Sequence, residues 1–166
     1  MKKTLASILL ILLAAPMSRA ADQLPDSLLT VKSPSGALSV VKARQTAKAG
    51  EAIVVRGRIG GRAMSLMDKA AIAVLADEKS IVPCDANPAD SCKTPWDYCC
   101  ESPEKLKAGT ATIQVKGENG KLLRTSLRGF SGLKELSTVV VAGTVDASST
   151  QDALIINVAS IHVEKQ

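Results

Sequence analysis

The sequence predicts a mainly β domain, a five-stranded barrel, and three observations lead to this prediction. Apolar and polar residues alternate in several short segments, which is the period of a strand with one buried face. Two of these β-branched segments contain an internal glycine, which often marks a tight bend or a close backbone approach. Hydrophobic residues make up 46% of the chain but aromatic residues only 2%, so we expect an aliphatic core.

The chain before the first strand is predicted to be an arm that ends in a short helix. Residues 22–37 contain two prolines and little periodicity, which favours a tether or an irregular arm. Over residues 38–48, Val40 and Ala43 are at helical spacing, and Gly50 would end the helix.

Five strand regions follow the arm. The third is predicted as a hairpin around the turn 117–120 and is counted as one elaborated strand region. The last changes phase, which predicts a β-bulge near Ala159. The five regions are residues 52–59, 70–76, 110–128, 138–145 and 154–163.

The order of these elements predicts the topology. Residues 131–136 are enough for about one helical turn, and strand, strand, strand, short helix, strand, strand is the order of an OB-type barrel. We therefore expect a five-stranded OB-like barrel over residues 49–166. It has a short helix between strands 3 and 4 and a cysteine-rich insert, residues 83–103, between strands 2 and 3. A generic β-sandwich is the alternative.

The chain also resembles the small exported bacterial OB-fold family. The resemblance rests on Ser39–Arg44 leading into Gly50–Ile59, on Val139–Asp146 and on Leu154–Ile161, and it covers most of residues 39–163. It implies binding of small or charged ligands rather than single-stranded DNA. The four-cysteine insert departs from the family pattern.

The N-terminus has the three parts of a secretory signal peptide. Lys2 and Lys3 precede an apolar run, and Ser18 and Ala20 supply the small residues at −3 and −1 of a cleavage site. The apolar run is shorter than the roughly 20 residues that span a bilayer. We therefore expect residues 1–20 to be removed near Ala20 and the mature protein to be periplasmic or secreted, with residues 21–48 as its N-terminal arm.

Export changes the charge balance. The whole chain has 21 Lys and Arg against 16 Asp and Glu, a net charge of +5. The signal holds three of the basic residues, so the mature chain has 18 against 16, or +2. Nucleic-acid binders usually carry a clustered basic excess, so this balance argues against nucleic acid as a partner.

The insert holds every cysteine of the protein: Cys84, Cys92, Cys99 and Cys100. An even count in an exported protein favours two disulfides. Their connectivity joins Cys84 and Cys92 each to one of the adjacent pair, and the sequence does not choose between the two possibilities.

Two other interpretations of the cysteines remain open. Four thiolates can bind zinc tetrahedrally, and soft sulfur also suits copper(I), although the spacing lacks Cys-x2-Cys pairs. A thiol-redox role is the third possibility, since a strained bridge between Cys99 and Cys100 could be labile.

An enzyme is not predicted, and no catalytic residue is assigned. Nucleophilic catalysis of the Ser/His or Cys/His kind needs a histidine near the nucleophile, and the sole histidine, His162, is expected to be an exposed strand residue. The acid pairs Asp77–Glu78 and Asp97 with Glu101 are expected to lie in solvated turns.

The leading prediction is a non-enzymatic binding or interaction module whose ligand is a small molecule or a protein. Trp96 and Tyr98 are the candidate contact residues, because amphipathic aromatics on a restrained loop are good anchors; alternatively they form a small core of that loop. A metal-binding protein is the second hypothesis. The third is an anionic-ligand or nucleic-acid binder that uses Arg56, Arg58 and Arg62, with Arg124 and Arg128.

Overall fold

Six strands and two short helices form the part of the chain that the structure describes. The structure is a computed structural model that describes residues 22–86 and 91–164, so the predicted signal peptide lies outside the described residues. The strands are β1 (Leu38–Ser39), β2 (Ala52–Ile59), β3 (Ile72–Ala76), β4 (Thr110–Gln114), β5 (Thr138–Val145) and β6 (Ile155–Val163), and the helices are α1 (Val40–Thr46) and α2 (Pro103–Gly109).

Strands β2 to β6 close into a barrel. The hydrogen-bonded order is β1-β2-β3-β4-β6-β5, and pairing of β2 with β5 completes the circle. The barrel pairs are antiparallel except β4 with β6, which is parallel. A 3-10 turn at Phe130–Gly132 stands between the third and fourth barrel strands. The five-stranded OB-like barrel with a short helix at this place is therefore confirmed.

The third strand region is shorter than predicted. The turn at 117–120 is present. Beyond it, the two arms of the hairpin are joined by the bridge Lys116–Leu122 and by a hydrogen bond from Leu123 N to the carbonyl of Val115. The Leu123 carbonyl accepts from Ala71 instead of continuing a ladder with β4. Residues 123–128 are therefore not a strand, and the chain bends there so that Leu127 is fully buried in the core.

The core is aliphatic, as the composition predicts. Its centre is the interior of the barrel, to which every barrel strand contributes inward-facing Ile, Val, Leu or Ala side chains. Two further segments close the barrel: α1 buries Val40 and Ala43, and Leu28 from the N-terminal arm is 1% exposed. Thr30 N donates to the carbonyl of Ile161 at 3.0 Å, so the arm is docked on β6 and is not a free tether.

A bulge in β6 lies at the predicted position. Ala142 pairs with Ser160 but Gly143 pairs with Val158, which leaves Ala159 as the additional residue. A Cβ built on Gly143 would overlap the carbonyl oxygen of Asn157. The glycine inside this strand therefore permits the close backbone approach on which the bulge depends.

We expect Gly143→Ala to lower the free energy of unfolding by about 1–3 kcal/mol, because the new methyl group must displace the backbone of β6. The matched control is Thr144→Ala, at the next, exposed position of β5, which should cost less than about 1 kcal/mol. Urea denaturation of both variants measures the difference. Equal effects would show that Gly143 is not required for the approach.

Candidate functional site

The insert leaves the barrel through a narrow neck. Ala76 pairs with Thr110 at the end of the β3–β4 ladder, and Asp77 N then donates to the carbonyl of Gly109 at 2.8 Å. Residues 77–109 therefore begin and end side by side. The insert is longer than the predicted 83–103 because it includes its own helix, α2.

The carboxylate of Asp77 fixes this neck. Its Oδ2 accepts from Val41 N at 3.0 Å, and its Oδ1 accepts from Lys79 N and Ser80 N, each at 3.0 Å. Burial would raise the pKa of this carboxyl, but the hydrogen bonds from Val41, Lys79 and Ser80 outweigh it and the pKa is lowered. Asp77 is 2% exposed, so the expectation of a solvated acid here is wrong.

Helix α2 closes the insert and was missed by sequence reasoning. Ser102 caps it by accepting from Lys105 N at 3.3 Å, and Pro103 is at its first position. A capping serine followed by proline is a recognisable helix start. The helix is short, so its periodicity gives little signal.

Tyr98 is the centre of a second, smaller core. Its side chain is fully buried with Ala76 and Ile81, and Leu106 and Leu136 pack against them. Burial raises the pKa of Tyr98 to about 12, although the charge of Arg58 acts in the opposite direction. The Tyr98 hydroxyl is close enough to Arg58 for the guanidinium to lower its pKa, but within the described residues it makes no hydrogen bond of good geometry. Tyr98 holds the insert against the barrel and leaves no surface for a partner, which corresponds to the loop-core alternative.

The sulfur atoms of Cys84, Cys92 and Cys99 converge on one point, and that of Cys100 lies next to Cys84. The Sγ of Cys84 lies 3.6 Å from that of Cys99 and 3.9 Å from that of Cys100, and the Sγ of Cys92 lies 3.7 Å from that of Cys99. A disulfide S–S bond is about 2.05 Å long, so none of these three pairs is at bonding distance. The predicted disulfides are thus not formed in this structure.

Asp97 joins the cluster. Its Oδ1 accepts from Cys99 N at 2.9 Å and lies 3.9 Å from the Sγ of Cys84, and its Oδ2 accepts from the Thr94 hydroxyl at 2.7 Å. Among the described residues, Cys84, Cys92, Asp97 and Cys99 place their potential ligand atoms within 4.8 Å of one another. Sequence reasoning placed Asp97 in a solvated turn. The sequence feature that could have identified Asp97 as part of the cluster is its position two residues before Cys99.

The sulfur atoms differ in their electrostatics. Burial would raise the pKa of the Cys84 thiol, but hydrogen bonds from Cys100 N and from the other three thiols outweigh it and lower the pKa. The pKa of the Cys99 thiol is raised, because this thiol donates a hydrogen bond to Cys84, which has the larger effect, and another to Cys92. The cluster therefore stabilises a thiolate at Cys84, which is 4% exposed, and leaves Cys99 and Cys100 exposed.

Trp96 connects the insert to the loop between β2 and β3. Its Nε1 donates to the carbonyl of Ala63 at 3.1 Å, and its own carbonyl accepts from Gly61 N at 2.8 Å. The indole is half-buried. Trp96 therefore joins the insert to the β2–β3 loop through two hydrogen bonds, whether or not it also contacts a partner.

The arginines do not form one cationic face. Arg56 is paired with Glu78 and Glu164, and Arg128 is paired with Glu135. Arg58 is half-buried next to Tyr98, with its Nε lacking a partner among the described residues. Arg62 and Arg124 are exposed on different loops.

His162 is held by the N-terminal arm. Its Nδ1 lies 3.0 Å from the carbonyl oxygen of Thr30, and its side chain is half-buried. It is therefore less exposed than the sequence predicts, because the arm covers it.

Comparison with known proteins gives little further information. No known protein family matches the chain, and no curated protein matches it. The structure is similar to that of the hypothetical protein ygiW from E. coli, with 16% sequence identity and a TM-score of 0.39 over 79% of this chain and 94% of the other. A similarity of this degree transfers no function. Across residues 22–86 and 91–164, no helix is long and apolar enough to cross a membrane.

We expect Asp77→Asn to lower the free energy of unfolding at pH 7 by about 1–3 kcal/mol, because the amide cannot accept all three backbone hydrogen bonds as an anion does. A lowered pKa in the folded state gives stability that is present above the unfolded value of about 3.9 and is lost as pH falls through the folded value. The difference between wild type and variant should therefore shrink below about pH 4. Urea denaturation at pH 7 and pH 3 measures it.

The matched control is Asp68→Asn, since the Asp68 side chain is 81% exposed, and it should change stability by less than about 0.5 kcal/mol. A pH-independent loss in Asp77→Asn would contradict the role of the charge.

We expect Tyr98→Phe to leave stability unchanged or to raise it by about 1 kcal/mol, because it removes a buried hydroxyl without a partner. Tyr98→Ala should lower stability by about 3–5 kcal/mol through loss of the second core. Thermal and urea unfolding distinguish the two. A loss above about 1 kcal/mol in Tyr98→Phe would show that the hydroxyl is hydrogen-bonded.

Proposed function

We propose that this protein is an exported, non-enzymatic OB-like barrel that binds one thiophilic metal ion, Zn²⁺ or Cu⁺, through Cys84, Cys92 and Cys99, with Asp97 or Cys100 beside them as the fourth ligand. The observation that carries the proposal is the spacing of the sulfur atoms. A tetrahedral site with zinc–sulfur bonds of about 2.3 Å has sulfur atoms about 3.8 Å apart. The distances Cys84–Cys99, Cys92–Cys99 and Cys84–Cys100, which are 3.6, 3.7 and 3.9 Å, match three of the six edges of such a tetrahedron.

The burial pattern supports a site at the surface of the insert. Cys84 is the buried ligand, Cys92 is half-buried, and Cys99 and Cys100 are exposed. Asp97 orients the last turn by accepting from Cys99 N at 2.9 Å. It is thus both a potential ligand beside the sulfur atoms and a group that fixes the orientation of a neighbouring ligand, as outer-shell groups do in metal sites.

The surroundings suit a bound metal better than an open cluster of thiols. The N-terminal sequence supports export, and thiols outside the cytoplasm tend to oxidise. A bound metal ion keeps the sulfur atoms coordinated as thiolates. The only histidine of the chain is engaged with Thr30, which agrees with a binding role and gives no support to catalysis.

A pair of disulfides is the second candidate. Cys84 with Cys100 at 3.9 Å and Cys92 with Cys99 at 3.7 Å use each cysteine once. This pairing is one of the two connectivities that the sequence leaves open. Closing both bridges would give the disulfide-stabilised interaction module in place of the metal site.

The test is metal binding by the full-length mature protein, reduced and kept anaerobic. We expect one equivalent of Zn²⁺ or Cu⁺ to bind and to protect Cys84, Cys92 and Cys99 from alkylation. Cys84→Ser should weaken binding by more than about 100-fold, the upper end of what loss of an outer-shell group costs. Asp85→Asn, an exposed neighbour that is not a sulfur ligand, is the matched control and should stay close to wild type.

The outcomes separate the two candidates. A protein purified from the periplasm with no free thiols and no metal supports the disulfides Cys84–Cys100 and Cys92–Cys99, which peptide mapping would identify. Four alkylatable thiols without any metal uptake would contradict both candidates.

A further inference from the structure

The loop between β2 and β3, the strand β3 and the helix α2 enclose a groove next to the cysteine cluster. Its volume is about 750 Å³, which is within the range of ligand sites. Its apolar lining includes Ile72 and Val74 of β3, Leu106 of α2, and Met64 and Met67 of the loop. The groove is thus built partly by the barrel and partly by the insert.

The methionines are concentrated in this groove. The chain contains four, of which two are Met1 and Met17 near its N-terminus. Both of the others, Met64 and Met67, line the groove. Met64 is 68% exposed, so its thioether is accessible and does not serve as a filler of the core.

The groove opens beside the thiolate cluster. Asp97 lines it and also belongs to the group of potential ligands, 3.9 Å from the Sγ of Cys84. The loop that carries Met64 is fastened to the residue just before Asp97: Ala63 accepts from the Trp96 indole, and Gly61 donates to the Trp96 carbonyl. The thioethers and the thiolates are therefore held on the same side of the molecule.

The chemistry of these donors distinguishes between the two metals of the proposed function. Thioether sulfur is a soft ligand that selects Cu⁺, whereas zinc sites use thiolate, imidazole and carboxylate. Two cationic residues, Arg62 and Lys107, line the groove with one acidic residue, Asp97, and they repel a dication more strongly than a monocation, since Coulomb energy scales with charge. Both features favour passage of Cu⁺.

We propose that Cu⁺ enters through this groove, is held transiently by Met64 and Met67, and passes to the cysteine cluster; this inference rests on the proposed function. The step is a ligand exchange without electron transfer. Copper–thioether bonds break, a copper–thiolate bond forms at the cluster, copper remains in the +1 state, and the proton of an accepting thiol is released to water. The thioethers thus act as a relay.

The test compares wild type with M64L/M67L, both as the full-length mature protein, reduced and anaerobic. Cu⁺ is supplied as its bicinchoninate complex, and stopped-flow absorbance follows its transfer. We expect the transfer rate to fall about 10-fold or more in the variant, because the ion is no longer held beside its acceptor. Equilibrium affinity for Cu⁺ and the rate of Zn²⁺ uptake should both remain within about twofold of wild type, since the cysteine ligands are unchanged.

Two controls keep the test specific. Val31→Leu, at a site that is 92% exposed and outside the groove lining, should transfer Cu⁺ as wild type does. In wild type labelled with ¹³C-methyl methionine, the Met64 and Met67 signals should shift on addition of Ag⁺, a redox-stable probe for Cu⁺, once the cysteines are filled. This second measurement does not depend on the folding of the variant.

Failure of the relay and failure of the metal site give different results. Equal Cu⁺ transfer rates in wild type and M64L/M67L, equal slowing of Cu⁺ and Zn²⁺, or methyl signals unmoved by Ag⁺ would overturn the relay alone. Uptake of neither ion by reduced wild type would overturn the proposed function and the relay with it.

Discussion

The hydrogen bonds of Asp77 are the constraint on which the rest of this architecture depends. One carboxylate joins the end of β3, the start of α1 and the first turn of the insert. The barrel needs α1 to cover its interior with Val40 and Ala43, and the insert needs a fixed starting direction. A buried anion that accepts from three backbone N–H groups and from the Ser39 side chain meets both needs without a cationic partner.

The insert in turn folds around Tyr98 and not around the cysteines. Its apolar contacts are with Ala76, Ile81 and Leu106, and they position the chain before and after the sulfur atoms. Trp96 and Asp97 then use hydrogen bonds to shape the last turn. Cys99 and Cys100 are therefore exposed outside this small core and Cys92 is half-buried, whereas Cys84 is buried.

Much of the barrel could be predicted from the sequence, because alternation, internal glycines and the phase change in β6 are local signals. The bulge at Ala159 and the helix α1 were found in this way. The short hairpin was not, since the bend after Leu123 depends on pairing with Ala71, which is distant in the chain. The burial of Asp77 was missed for the same reason, as one of its partners, Val41, is 36 residues away.

The sequence identifies the cysteines as a group but does not predict their arrangement, because spacing along the chain does not determine the distances between sulfur atoms.

The neck of the insert also affects the strand register of the barrel. One backbone hydrogen bond joins Asp77 to Gly109. The ends of β3 and β4 are therefore held side by side, as they would be if a tight turn connected them. The segment could therefore lengthen or shorten without shifting the β3–β4 register, whereas its transplantation to another barrel would also require the barrel residues that Tyr98 and Trp96 contact.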